Sequence, residues 1–193
     1  MKLIIASNNK HKAHEIKEIL KGKFDEILTL REAGVDHETV EDGDTFMANS
    51  LKKAREIAGI TGSAALADDS GLCVDYLDGA PGIFSARYSG ESDPALRDRA
   101  NIDLLLTNLS GVENRSAHFT CAMALVYPNG VEITAEGYMN GSILDAPMGD
   151  GGFGYDPVFL PDGENRSVAQ LSEDEKNSIS HRANALKLLL TKI

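Results

Sequence analysis

The stretch Leu66-Ala67-Asp68-Asp69-Ser70-Gly71-Leu72 decides how the rest of the chain is read. With Ala64-Ala65 before it, it forms a short apolar run bounded by turn residues, which predicts a buried strand. On that reading Asp68 and Asp69 sit at the C-terminal end of the strand, where open α/β sheets place their ligands, and Ser70-Gly71 supplies the exit turn. Neighbouring side chains on a strand point to opposite faces, so only one aspartate need face a cleft while the other braces the turn. Paired carboxylates are hard oxygen ligands suited to Mg2+, which keeps several waters and meets substrate phosphates. An Asx-turn without chemistry accounts for the same residues, and both readings stand at this point.

Upstream, residues 2–6 predict a first strand that opens directly into Ser7-Asn8-Asn9-Lys10-His11-Lys12. Ala13, Ile16, Ile19 and Leu20 then follow helical spacing, with Gly22 as a stop. A polar turn leading from a strand into a helix N-terminus is receptive to phosphate, through its backbone N–H groups and the helix dipole. The chain has no GxxxxGK[ST], so this is not a Walker loop. A capped helix with a solvated basic first turn is the plainer alternative. Residues 24–30 predict a second strand. A helix over about 46–58 follows, capped by Asp44 or Thr45, with Asn49 and Lys53 on one face and Glu41 in the loop just before it.

Downstream, residues 78–82 form a turn, and Asp93-Pro94 opens a third helix running to about residue 109. Residues 116–127 are strand-like, with Phe119, Cys121, Met123 and Leu125 on one alternating face. Pro128-Asn129-Gly130 is a hairpin turn, residues 131–140 return antiparallel, and the sheet is therefore mixed. A literal GxGxxG spans residues 149–154, but Pro157 and Val158-Phe159-Leu160 follow where a dinucleotide-binding fold needs a helix, which excludes that use. Glycines beside Phe153, Tyr155 and Asp156 suit a flat ligand approached by backbone and stacked on a ring. They suit equally a tight loop whose rings cover the core. Ser172 to Glu175 is a capping box, and Lys176 follows it. His181 and Arg182 fall in the first turn of the last helix, where cations oppose the dipole, which suggests that they face an anion or a polar ligand unless they are simply exposed.

With 193 residues, of which 42% are hydrophobic and 25% charged, the chain has the composition of an ordered globular protein and the length for one substantial domain or two lobes around one cleft. Its 30 acidic against 19 basic residues give a formal charge of −11, which argues against broad binding to nucleic acid or an anionic membrane. Cys73 and Cys121 form no CxxC and no disulfide framework, and nothing reads as a signal peptide or a membrane-spanning run. The expectation is a cytoplasmic protein. The candidate cations Lys12, Lys53, Lys176 and Arg182, the carboxylates Glu41, Asp68 and Asp69, and the ring of Phe153 are what a magnesium-assisted attack of water on a nucleoside triphosphate requires. An aspartyl-phosphate phosphatase is a rival, disfavoured because the usual Asp-x-Asp is absent, and a non-catalytic nucleotide-binding module is another.

The same pieces, in order, resemble the inosine triphosphate pyrophosphatase family, also called the Ham1 family. They are Ser-Asn-Asn-Lys-His-Lys (7–12), Glu-Asp-Gly-Asp-Thr-Phe-Met-Ala-Asn-Ser-Leu-Lys-Lys-Ala (41–54), Ala-Asp-Asp-Ser-Gly-Leu (67–72), Gly-Ala-Pro-Gly-Ile-Phe-Ser-Ala-Arg-Tyr (79–88), Gly-Phe-Gly-Tyr-Asp-Pro-Val-Phe (152–159) and Glu-Lys-Asn-Ser-Ile-Ser-His-Arg-Ala (175–183). The resemblance implies an α/β fold with a mixed twisted sheet, flanking helices and two lobes around a central cleft. It implies a homodimer, Mg2+ dependence, and hydrolysis of ITP, dITP and XTP to the monophosphate and pyrophosphate. By position it implies Asp69 as general base and Glu41 with Asp69 as the metal site. It assigns the triphosphate to Ser7, Asn8, Asn9, Lys10, His11, Lys12 and Lys53. Ser70, Phe153, Gly154, Tyr155, Asp156, Lys176, His181 and Arg182 fall to the nucleoside. The chain departs from the family pattern in its first turn, which reads Ser-Asn-Asn where many members have Thr-Gly-Asn.

Overall fold

The structure, a computed structural model, describes residues 2–193. Its strands are β1 (Lys2–Ile5), β2 (Glu26–Thr29), β3 (Ala64–Val74), β4 (Ser116–Val126), β5 (Glu132–Ile143) and β6 (Phe159–Pro161). Its helices are α1 (Lys10–Ile19), α2 (Phe46–Thr61), α3 (Pro94–Asn108), α4 (Glu173–Ile179) and α5 (His181–Leu190), joined in places by short 3-10 turns. The strands form one mixed sheet in the order β2-β1-β3-β4-β5-β6. β1 runs parallel to β2 and β3, while β5 and β6 are antiparallel. No helix among the described residues is long and apolar enough to cross a membrane.

The chain divides into two compact units, and β3, β4 and β5 each run from one into the other. The first unit comprises Met1–Asp69, Cys121–Gly137 and His181–Ile193. Strand alternation builds its two cores. Leu3, Ile5, Leu66, Cys121, Met123 and Leu125 face Ile16 and Leu20 of α1 and Leu186 and Leu189 of α5. Ile4, Ala65, Ala67, Ala124 and Val126 face Ala54, Ile57 and Ala58 of α2. Helices thus cover both faces of the sheet here. The seat of α5 is Gly137 on β5, where a Cβ would fall 2.8 Å from Ala185 Cα and closer still to Ala185 N and the His181 carbonyl oxygen.

The second unit comprises Ser70–Thr120 and Tyr138–Ser180. Its core sets Leu72 and Val74 of β3 and Phe119 of β4 against Ile102, Leu105 and Leu109, with Phe119 and Phe159 ring centroids 4.6 Å apart. Asn101 of α3 pins the irregular stretch after β3, donating to the Ser85 and Ala86 carbonyls and accepting from Ser89 N–H.

Two sequence-based expectations need correction. β3 does not end at the aspartates: it continues through Ser70-Gly71 to Val74, because β4 lies beside it as a ladder partner and overrides the local turn preference. The strand that does end there is β1, at Ile5, with Ala6 N–H donating to Leu66 O at 2.8 Å. β4 buries not only the face that carries Phe119, Cys121, Met123 and Leu125 but the opposite one as well. Cys121, Met123 and Leu125 pack in the first unit and Phe119 in the second, and the alternate residues Ala122, Ala124 and Val126 are buried as well.

Candidate active site

The period of two along β3 separates its two aspartates. Leu66 points toward α1 and α5 and Ala67 toward α2, so Asp68 continues the first row and Asp69 the second. Asp68, 1% exposed, lies within β3 and not at a turn. Its Oδ2 lies 3.2 Å from Lys12 Nζ and 3.4 Å from Arg182 Nη2, and Arg182 Nη1 donates to Glu15 on α1. Burial by itself would raise the Asp68 carboxyl, but the Lys12, Arg182 and Lys53 cations outweigh it and hold the group well below the usual carboxylate range. Asp68 is therefore a fixed anion and Arg182, also 1% exposed, a fixed cation.

Asp69 has different company. Asn49 Nδ2 donates to its Oδ2 at 3.0 Å, and Lys53 Nζ stands 3.7 Å from its Oδ1. The same ammonium donates to Glu41 Oε1 at 2.5 Å. Burial pushes the Asp69 carboxyl above its ordinary range, with Glu41 adding to the shift against Lys53 and Lys12. Burial acts to lower the Lys53 ammonium, yet Asp69, Asp68 and Glu41 together raise it, so it stays charged. The donors Glu41 and Asp69 are hard carboxylate oxygens drawn to one cation, which fits Mg2+ held by two carboxylates with water and phosphate completing its shell. Among the described residues no group of three or more His, Cys, Asp or Glu is placed to hold a metal by itself.

The turn before α1 is held by its own side chains. Ser7 Oγ accepts from Asn9 N–H at 3.2 Å, and Asn9 caps α1 by accepting from His11 and Lys12 N–H at 2.9 and 3.2 Å. Asn8 Nδ2 donates to His37 O at 3.2 Å. Lys10 and His11 are exposed on the first turn of α1, while Lys12 reaches back to Asp68. His181 is buried where α5 begins, and Ser70 is half-buried within β3.

In the second unit Lys176 Nζ lies 4.6 Å over the centre of the Phe153 ring and donates to Asp156 Oδ2 at 2.8 Å. Asp156 Oδ2 also accepts from Phe153 N–H, closing the loop tightly enough that a Cβ on Gly152 would fall 2.9 Å from Asp156 Cβ. Asp98 of α3 accepts from Gly154 N–H at 2.8 Å.

Two assignments change their meaning. The Tyr155 ring belongs to the core, 4% exposed, with its hydroxyl donating to Ser85 O, so it supports the loop from within. Arg182 does face an anion, as a cation in a first helical turn should, but the anions are Asp68 and Glu15 of this chain. Sequence reasoning missed Glu15 and Asp98 altogether. It noted Asn49 only as sharing a helix face with Lys53.

A mixed sheet covered by helices, with lysines set against two adjacent buried aspartates where β1 ends, defines an α/β protein with a carboxylate–lysine site. The chain belongs to the Ham1 family, whose model matches residues 3–192. A protein of Clostridium perfringens named dITP/XTP pyrophosphatase is 49% identical, covering 97% of this chain and 95% of its own length. One of Streptomyces coelicolor with the same name is 45% identical, over 98% of this chain and 95% of its own. Among solved structures, the Staphylococcus aureus Ham1 protein superimposes with a TM-score of 0.87 at 38% identity, over 100% of this chain and 97% of that one. The Mycobacterium abscessus nucleoside-triphosphatase, also titled dITP/XTP pyrophosphatase, gives 0.77 at 44% identity, over 98% and 99%.

Proposed function

We propose that the protein is a nucleoside triphosphate pyrophosphatase that hydrolyses purine nucleotides outside the ordinary set, ITP, dITP and XTP, to the monophosphate and pyrophosphate. The names of its relatives support this reading. The observation that carries it is the Asp69–Glu41–Lys53 constellation, two carboxylates around one ammonium beside the lysine-bearing first turn of α1. Glu41 and Asp69 would hold Mg2+, which supplies charge neutralisation at the triphosphate oxygens and a more acidic attacking water. Lys53 exchanges its carboxylate partners for phosphate oxygens, and Lys12 adds a second cation from the Asp68 side. Asp69, with its carboxyl raised by burial, takes the proton of the water that attacks the α-phosphorus. Phe153 stacks on the base, and Lys176 at its ring offers a donor to the 6-oxo group that inosine and xanthine have and adenine lacks. A site with a buried donor discriminates strongly against a ligand that leaves it unmatched.

Product analysis tests the reading. With ITP and Mg2+ the purified protein should release IMP and pyrophosphate in one step, and water carrying heavy oxygen should label IMP. Orthophosphate with IDP as first products would assign a phosphatase instead. Binding of ITP without turnover would reduce the protein to a nucleotide-binding module. Turnover of ATP comparable to that of ITP would defeat the 6-oxo argument.

A further inference from the structure

We propose that Asn49 is a positioning residue, a clip that sets the Glu41-bearing loop and Asp69 in one register. Asn49 is 1% exposed on α2. Its Nδ2 donates to Asp69 Oδ2 at 3.0 Å and its Oδ1 accepts from Gly43 N–H at 2.8 Å. The orientation of the amide is dictated by its partners: a carboxylate at its ordinary charge only accepts and a backbone N–H only donates, so one of the two flips satisfies both. Gly43 stands two residues after Glu41, so a single side chain spans the two carboxylate-bearing segments. The fit leaves no spare room, since a Cβ on Gly43 would fall 2.7 Å from Asn49 Oδ1 and 2.9 Å from Ala48 Cβ. Lys52 Nζ holds Asp42 at 2.6 Å from the same helix, so α2 grips three consecutive loop residues, Glu41 through Lys53, Asp42 through Lys52 and Gly43 through Asn49.

The consequence is directional. With Oδ2 of Asp69 held by Asn49, Oδ1 is the oxygen turned toward Lys53, and Glu41 meets that same ammonium. Asn49 touches neither phosphate nor metal in this scheme. It decides which carboxylate oxygens converge, and partners of this outer kind typically alter metal affinity about 10–100-fold when removed.

The inference rests on reading Glu41 and Asp69 as a metal-holding pair, and the experiment separates the two ideas. Binding of Mn2+ to the nucleotide-free protein, read from the free-ion electron paramagnetic resonance signal, is compared for wild type, Asn49→Ala, Gly43→Ala, Glu41→Gln and Asp69→Asn. We expect the carboxylate variants to lose the ion, and both Asn49→Ala and Gly43→Ala to bind it about 10–100-fold more weakly. In turnover, Asn49→Ala should recover toward wild type at high Mg2+, a rescue that simple unfolding would not allow. Gly43→Ala displaces the amide without deleting it, so the inference stays testable should Asn49→Ala fold poorly. Unchanged Mn2+ affinity in folded Asn49→Ala or Gly43→Ala, with the carboxylate variants impaired, overturns the clip alone. Equal Mn2+ binding by wild type and the carboxylate variants overturns the metal reading and the clip with it.

Discussion

Replacing Asp68 by Asn should unfold this protein more readily while leaving its shape nearly intact. The amide matches the carboxylate in size but removes the anion that Lys12 and Arg182 share, at 3.2 and 3.4 Å. Each pair is worth about 5 kcal/mol in gross Coulomb terms at an effective dielectric near 20. The desolvation of all three groups offsets most of that gain, so the net loss is set by what is left stranded. Lys12, 16% exposed at its side chain, can turn toward water, whereas Arg182 is sealed and keeps its contact to Glu15. Breaking a buried pair from one side typically costs about 3–5 kcal/mol, and the surviving Glu15 contact points to about 3 kcal/mol here. Urea denaturation at neutral pH, extrapolated to zero denaturant, reads the difference directly. Asp69→Asn is the control. It removes a charge held against its burial and leaves Lys53 on Glu41, so stability should stay within about 1 kcal/mol, as for a change away from any stranded charge. Turnover should instead fall on the order of 10²–10⁴ through loss of a general base. An Asp68→Asn protein as stable as wild type would refute the reasoning, because the buried network would then not depend on its central anion.

Lys53→Ala should raise KM for ITP and lower kcat together, since a phosphate cation acts in ground and transition states alike; unchanged kinetics would return Lys53 to a purely structural ion pair. Phe153→Ala should weaken nucleotide binding by about 1–3 kcal/mol while barely changing inhibition by tripolyphosphate, which has no base to stack. Equal loss for both ligands would mean the ring only shapes its loop. Glu175, hydrogen-bonded first by Arg166 and then by Ser172, has its carboxyl lowered from its ordinary 4.5 to about 2. A carboxyl lowered by folding stabilises the folded state above its ordinary value and loses that contribution as pH falls through the lowered one. Thermal melts between pH 5 and about pH 2 should therefore drop more steeply for wild type than for Glu175→Gln, and parallel curves would count against that linkage.

Local signals in the sequence were reliable where the chain interacts with itself over a few residues. Asn9 caps α1 and Ser172 with Glu175 forms the capping box of α4 because such contacts need only neighbours. The split of Asp68 from Asp69 was legible for the same reason, strand alternation being a local rule. The length of β3 was not, because the strand beside it, β4, begins 42 residues after β3 ends and decides whether Ser70-Gly71 turns or extends. Glu15 and Asp98 were invisible because their partners Arg182 and Gly154 lie 167 and 56 residues away. Arg182 shows the intermediate case. The dipole argued for an anion or a polar ligand near it, and only the tertiary fold could say that the anion is built in.

Gly137 gives that network an unexpected dependence. The helix that delivers Arg182 to Asp68 rests, at His181 and Ala185, on a stretch of strand with no side chain in the way. A single methyl group at 137 would lift the first turn of α5, and with it the partner of a charge on a different strand. In a deep mutational scan position 137 should therefore score like a residue of the reaction centre, although glycine brings no side chain to the chemistry. Descent would treat it likewise: every other residue is a step that must be taken together with a compensating shift in the helix, so lineages can drift around this position but not through it.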